Sequence, residues 1–448
     1  MLFRPQQRRI PPGPSGAPIV GNLLAFTEDP LAFLSSCARL YGDVVRLSPA
    51  NYLLAHPADV YSVMQDREGI FTKQPPGRRS GGFPGAMMNS EGEIWRRKRQ
   101  WVQLAFSRER THAWAPAIVG AAAAFADGLH EGERRDTLAD MLELTLAIIG
   151  LVMFSSSVDE VHTVAAAVEG IMERTRSPIR VPRWWPGGAN RRFHQSLRNF
   201  HALLDRLIQQ RQDDTARYQD VLAHLLRESD SYRPGRDELR DEVATLLLSG
   251  HETTADALGW IWYALALHPE AAERLEGELA AVLGDRPVTV EDLPRLRYTE
   301  AVVKEAVRLF PPAWTTSREA SRDTTIGGYP VAAGTQIGLS AWVLHRDPRW
   351  YAEPTVFRPE RWLDGSLRAL PRGAYIPFGA GPRVCIGAGL AQTEMMLILA
   401  TVARRARLTL APGQEVQPFP ALTLRPQGLE MIVQKPVSAS LRCPTGYA

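Results

Sequence analysis

The chain has 448 residues, 45% of them hydrophobic, enough to bury a large core. Its 52 basic and 49 acidic residues leave a formal charge of +3, small for this size, so nothing argues for nucleic acid as the main partner. The three cysteines, Cys37, Cys385 and Cys443, are too few and too odd in number for a disulfide framework and lack zinc-ligand spacing. A reducing compartment is expected, and any special cysteine must act alone.

In chain order, residues 1–22 hold no apolar run near the ~20 residues of a spanning helix. The cluster Arg4, Arg8 and Arg9 reads as a solvated start, with an acidic membrane surface as the other reading. Pro11, Pro12, Pro14 and Pro18 set an extended entry. "VVRL" and "YLLA", between 45 and 60, predict a small hairpin, and "QPPGRRSGGFPGAMM" (74–88) a long loop. Helical patterning then holds for most of two hundred residues, broken at 176–192 and 227–238. The apolar run at 144–154 is about half a membrane span and reads as a buried helix, so the protein is expected to be soluble.

From Asp237 to about His268 a long helix is predicted, with Leu239, Val243, Leu246, Leu247, Leu258, Ile261 and Leu265 at helical spacing. Further helices are predicted over 270–283 and 298–309, the latter stopped by Pro311 and Pro312. Short strands are expected at 324–326 and 336–339, and a final helix over 386–406. The fold class is mainly α with small β-sheets (α+β). No linker divides the chain, which reads as one domain over 1–448.

The stretch "FGAGPRVCIG" (378–387) crowds three glycines and a proline around Cys385, just before that final helix. A helix N-terminus offers unpaired N–H groups and the positive end of a dipole, which lower a thiol's pKa. Gly379, Gly381 and Gly387 let backbone pass close to something flat, and Pro382 stiffens the turn. The physical reading is a stabilised thiolate in a tight, open-faced loop.

Phe378, Gly381, Arg383, Cys385 and Gly387 fill every fixed place of Phe-x-x-Gly-x-Arg-x-Cys-x-Gly. The loop resembles the haem-binding loop of the cytochromes P-450, haem-thiolate monooxygenases. Three further elements carry the resemblance. "EAVR" places Glu305 and Arg308 one turn apart, and "FRPERW" supplies Arg361, together resembling the family's structural Glu-Arg-Arg network. Trp362 replaces the commoner Phe there. "SGHETT" (249–254) resembles the oxygen-binding kink of the family's central helix, with Ser249 where Ala or Gly is usual. "WRRKR" (95–99) resembles the helix whose Trp and Arg face the haem propionates.

The resemblance implies haem b, held between the long central helix and the cysteine-loop helix, with Cys385 as thiolate ligand of the iron. Trp95, Arg99, Arg318, His345 and Arg383 would face the macrocycle with Phe378 and Gly387, a structural role being equally open for His345. Thr253 and Glu252 would deliver protons, Glu252 as general acid. Phe83, Met87, Met88, Leu246, Ser249, Gly250, Ala313, Trp314, Thr315, Ala421 and Leu422 would line the substrate pocket. Trp184 and Trp185 would form a lid or a core pair.

Arg96, Arg97 and Lys98 would point away as a solvated face able to dock an acidic electron donor. With no flavin or iron–sulfur module in the chain, electrons would come from a separate ferredoxin- or flavodoxin-type protein. The expected activity is insertion of one oxygen atom from O2 into a hydrophobic molecule, a terpenoid, fatty acid or other secondary metabolite, in a bacterial cytoplasm. A peroxide-driven peroxygenase and a non-catalytic haem sensor remain as alternatives.

Overall fold

A computed structural model describes residues 10–17, 20–73, 83–155, 188–213, 217–227 and 232–435. Trp184, Trp185, Cys443 and the cluster Arg4, Arg8 and Arg9 lie outside these residues. The first helices are α1 (Leu23–Glu28), α2 (Pro30–Tyr41), α3 (Pro57–Gln65), α4 (Gly92–Ala105) and α5 (Arg108–Ala113). There follow α6 (Ala115–Asp127), α7 (Thr137–Phe154), α8 (Gly188–Asp213), α9 (Val221–Arg227) and α10 (Arg236–Leu267). The last are α11 (Pro269–Leu283), α12 (Arg297–Leu309), α13 (Ala341–Leu344) and α14 (Ala388–Val402). Ile386 and Gly387 therefore precede the final helix rather than open it. The strands are short: β1 (Val44–Ser48), β2 (Asn51–Leu54), β3 (Phe71–Thr72), β4 (Arg134–Asp136), β5 (Thr316–Ala320) and β6 (Thr324–Ile326). They continue as β7 (Tyr329–Val331), β8 (Gln336–Leu339), β9 (Arg407–Leu410), β10 (Gln417–Pro420), β11 (Leu424–Gln427) and β12 (Glu430–Gln434).

The chain forms two compact units. The first takes residues 1–79, 308–356 and 365–385. Its centre is a five-stranded sheet in the order β1-β2-β8-β5-β3, where β2 and β8 run parallel and the other pairs antiparallel. Val44, Leu54, Ile337 and Leu339 bury one side of it with Val60, Val63 and Met64 of α3 and Leu344 and Ile376. Local chemistry starts its helices. Asp29 accepts from the Ala32 N–H at 2.9 Å with Pro30 in the first turn, and His56 from the Ala58 N–H at 3.3 Å ahead of Pro57.

The second unit takes residues 80–307, 357–364 and 386–448. Helix α10 runs 32 residues through it, and twenty of them, from Leu239 to Leu265, are buried. Helix α7 packs along it: a Cβ on Gly250 would stand 2.9 Å from Ile149 Cδ1, and Thr145 Oγ1 donates to the His251 carbonyl at 3.1 Å. The apolar run predicted at 144–154 is the second half of α7, whose 18 residues reach spanning length and hydropathy, with 61% of them buried inside the protein. Trp101 and Trp260 fix the periphery by donating to the carbonyls of Leu225 (3.0 Å) and Leu424 (2.9 Å).

Glu305, with 0% exposure, accepts from Arg361 Nε at 2.8 Å, the Trp362 indole at 2.9 Å and the Arg358 N–H at 3.1 Å. The indole of Trp362 thus supplies a donor that the commoner Phe lacks. In the first unit Arg308, also fully buried, donates to the carbonyls of His345 (2.6 Å), Pro354 (2.7 Å) and Val356 (3.3 Å). His345 is structural rather than a haem contact, because both ring nitrogens are committed. Nε2 accepts from the Ile376 N–H at 2.9 Å, so Nδ1 carries the proton and donates to the Arg308 carbonyl at 3.1 Å. Complete burial, aided by the nearby Arg308 charge, pushes its pKa from 6.5 down to about 3.

Glu305→Gln leaves Arg361 buried without its counter-charge and is expected to cost about 3–5 kcal/mol; an unchanged melting temperature by circular dichroism would refute this. Because folded His345 stays neutral, its contribution is present above about pH 6.5 and is lost as pH falls toward about 3. His345→Gln should therefore destabilise most near neutral pH, the gap to the wild type narrowing in acid. A gap independent of pH in denaturant titrations would contradict that assignment.

Candidate active site

The cysteine loop is built in the first unit. A 3₁₀ turn, Gly381–Arg383, precedes Cys385, whose N–H donates back to the Phe378 carbonyl at 2.9 Å. Gly379 and Gly381 have φ of +75° and +71°, a region that favours glycine. Their surroundings differ. A Cβ on Gly381 would lie 2.2 Å from the Met64 carbonyl oxygen, so this glycine serves packing against α3 and not approach to a flat group. Among the described residues a Cβ on Gly379 would meet nothing within 4 Å, and the same holds in the second unit for Gly387, which precedes α14. Cys385 is exposed. The open side of Gly379 and the exposed Cys385 of the same unit fit a broad, flat ligand such as haem. In the same unit Arg318 is buried on β5 and donates to the Ser317 carbonyl at 2.8 Å, while Arg383 is half-buried. Trp314 is buried, and Ala313 and Thr315 are exposed.

The acid–threonine segment lies within unbroken α10. Thr253 Oγ1 donates to the Ser249 carbonyl at 2.9 Å and Thr254 Oγ1 to that of Gly250 at 3.1 Å. Such bonds draw carbonyls from the helical ladder and bend helices. Glu252 is buried, Thr253 half-buried and Ser249 exposed. A Cβ built on Gly250 would meet Ile149, so its small size serves the packing of α7 on α10. Leu246 is buried, Ala421 half-buried and Leu422 exposed by 67%.

On α4, Trp95 and Arg99 are half-buried and Arg96 and Arg97 exposed. Lys98 departs from the solvated face expected of it. It is 3% exposed, pairs with Glu238 at 2.5 Å and donates to the Gly85 carbonyl. Asp241 and Glu242 receive the N–H groups of Gly85 and Met87. The sequence reading missed these acids, although Glu238, Asp241 and Glu242 stand at i, i+3 and i+4, one face of a helix. Phe83 in the same loop is buried and packs edge-on against Phe200, centroids 6.3 Å apart. Met87 is half-buried and Met88 40% exposed.

The cytochrome P450 family model matches residues 11–438. Cyclooctat-9-en-7-ol 5-monooxygenase of Streptomyces melanosporofaciens is 36% identical over 89% of this chain and 90% of its own. Cyclooctatin synthase of the same organism is 35% identical over 94% of each. Pentalenene oxygenase of Streptomyces avermitilis is 32% identical over 92% of this chain and 94% of its own. Among solved structures, retinoic acid bound cyanobacterial CYP120A1 superposes with a TM-score of 0.84, covering 96% of this chain and all of that one at 24% identity. The family match, these relatives and the shared fold place the chain in the cytochrome P450 family, as a monooxygenase whose cofactor is haem b on a cysteine thiolate.

Proposed function

We propose that the chain inserts one atom of O2 into a hydrophobic terpenoid, using Cys385 as the iron ligand and electrons from a separate ferredoxin- or flavodoxin-type donor. The observation that carries this reading is the exposed Cys385 thiol in a loop open beside Gly379. The substrate class follows the relatives named for oxygenating cyclooctat-9-en-7-ol and pentalenene. We take the whole chain as one catalytic domain acting in a bacterial cytoplasm.

Bound haem supplies the oxidation, and the protein supplies access, ligand and protons. Cys385 offers its sulfur from a turn held by the Phe378 carbonyl. The cations Arg99, Arg318 and Arg383 and the indole of Trp95 supply donors for the two carboxylates of the macrocycle. The Thr253 hydroxyl donates its hydrogen bond to the Ser249 carbonyl, which leaves its oxygen lone pairs to accept one. Glu252, one residue before it, is the proton source. Phe83, Met87, Met88 and Leu246 present an apolar, adaptable wall to the substrate.

The test is the reduced carbon monoxide spectrum with product analysis on unsaturated terpenoid alcohols. The wild type should show the red-shifted band of thiolate ligation, and Cys385→Ala should lose it; survival of the band in that variant would reject the ligand. Thr253→Ala should divert electrons from product to hydrogen peroxide, whereas unchanged coupling would remove its role. Arg96→Glu with Arg97→Glu should slow reduction by the donor at low salt without changing substrate affinity. Equal reduction rates would count against that face.

A further inference from the structure

The loop 83–89 lies close against the first turns of α10, where a side chain at position 85 would have little room. A Cβ on Gly85 would stand 3.0 Å from Asp241 Oδ2 and 3.2 Å from Glu238 Cα. The Gly85 N–H donates to Asp241 Oδ2 at 2.8 Å, and the Met87 N–H to Glu242 Oε2 at 2.6 Å. From α4, the Lys98 ammonium donates to the Gly85 carbonyl and is itself held by Glu238, which also accepts from the Tyr232 hydroxyl at 2.5 Å. Both polar groups of one glycine thus end on charged side chains.

Those side chains are costly to keep there. Asp241, Glu242 and Lys98 are 5%, 1% and 3% exposed, and buried charges destabilise unless well bonded. The second oxygen of Glu242, Oε1, is buried with no hydrogen-bond partner among the described residues. Apolar residues would bury this face of α10 more cheaply. What the charges add is a grip from α4 and α10 on a loop whose own bonds are short-range: Ala86 N–H to the Phe83 carbonyl at 3.2 Å, Asn89 N–H to the Ala86 carbonyl at 3.0 Å, Ser90 N–H to the Met87 carbonyl at 3.0 Å, Ser90 Oγ to the Ala86 carbonyl at 3.0 Å and Asn89 Nδ2 to the Phe83 carbonyl at 2.8 Å.

We propose that Asp241, Glu242 and Lys98 form a latch that fixes the loop 83–89 and thereby sets the shape and affinity of the substrate pocket. They are positioning residues, acting through Gly85 and Met87 without touching substrate. The inference rests on the reading that this loop lines the pocket.

The test uses the full-length haem-loaded enzyme, with hydrogen exchange of the peptide spanning 83–90 and spectral titration of substrate. Lys98→Met and Asp241→Asn should speed exchange roughly tenfold or more and weaken substrate binding several-fold, with little change in kcat. Lys98→Arg should restore both. If Lys98→Met does not fold, Asp241→Asn, nearly identical in size, carries the same comparison. Wild-type exchange in folded Asp241→Asn overturns the latch. Faster exchange with unchanged substrate affinity overturns the link to the pocket, and leaves the Cys385 assignment to the carbon monoxide spectrum.

Discussion

A carboxylate with no exposure to water must be surrounded by donors, and Glu305 sets that demand at the centre of the second unit. It is met by groups from a segment more than fifty residues later: Arg361, Trp362 and the backbone of Arg358. An irregular stretch with little secondary structure is thereby held to α12. Removing any donor strands a charge, so the arrangement tolerates little drift. The first unit repeats the logic with opposite sign, since Arg308 ends on three main-chain carbonyls. His345 then passes the constraint to Ile376, and the Tyr351 hydroxyl, 3.1 Å from the Ala374 carbonyl, reinforces it. The cysteine loop begins two residues after Ile376, so its position is inherited from buried polar contacts and not from regular structure.

Helix α10 answers a different demand. It must be apolar enough to serve as a core helix and polar enough, over one turn, for the proposed proton route. The segment from Ser249 to Thr254 reconciles the two. Gly250 brings α7 close, while the hydroxyls of Thr253 and Thr254 return to carbonyls one turn back. The first turns of the same helix spend their polar face on the loop 83–89 through Asp241 and Glu242. One helix thus carries a loop anchor at one end and the proposed proton route at its middle. That is an economical division for a family whose cofactor performs the oxidation.

Much of this was legible in the residues alone. The long helices were predicted within a residue or two of α10, α11 and α12, because apolar spacing and flanking prolines act locally. The residues of the cysteine loop and of the Glu305–Arg361 pair were readable as a motif. What each one touches was not. Gly381 looked like an opening for a flat ligand and proved to be relief for the Met64 carbonyl. Gly250 looked like pocket lining, and a Cβ there would also meet Ile149 of α7. Lys98 looked like part of a charged surface, yet its partners come from residues 85 and 238.

By itself the sequence determined the family, the helical framework and the identity of the groups able to bind and assist haem, because these depend on residue type and short-range spacing. Only the tertiary structure decided which glycine faces open space, which basic residue is buried, and whether His345 serves a ligand or the backbone. Those outcomes depend on hydration lost and partners gained between segments far apart in the chain, and neither quantity is written in local order.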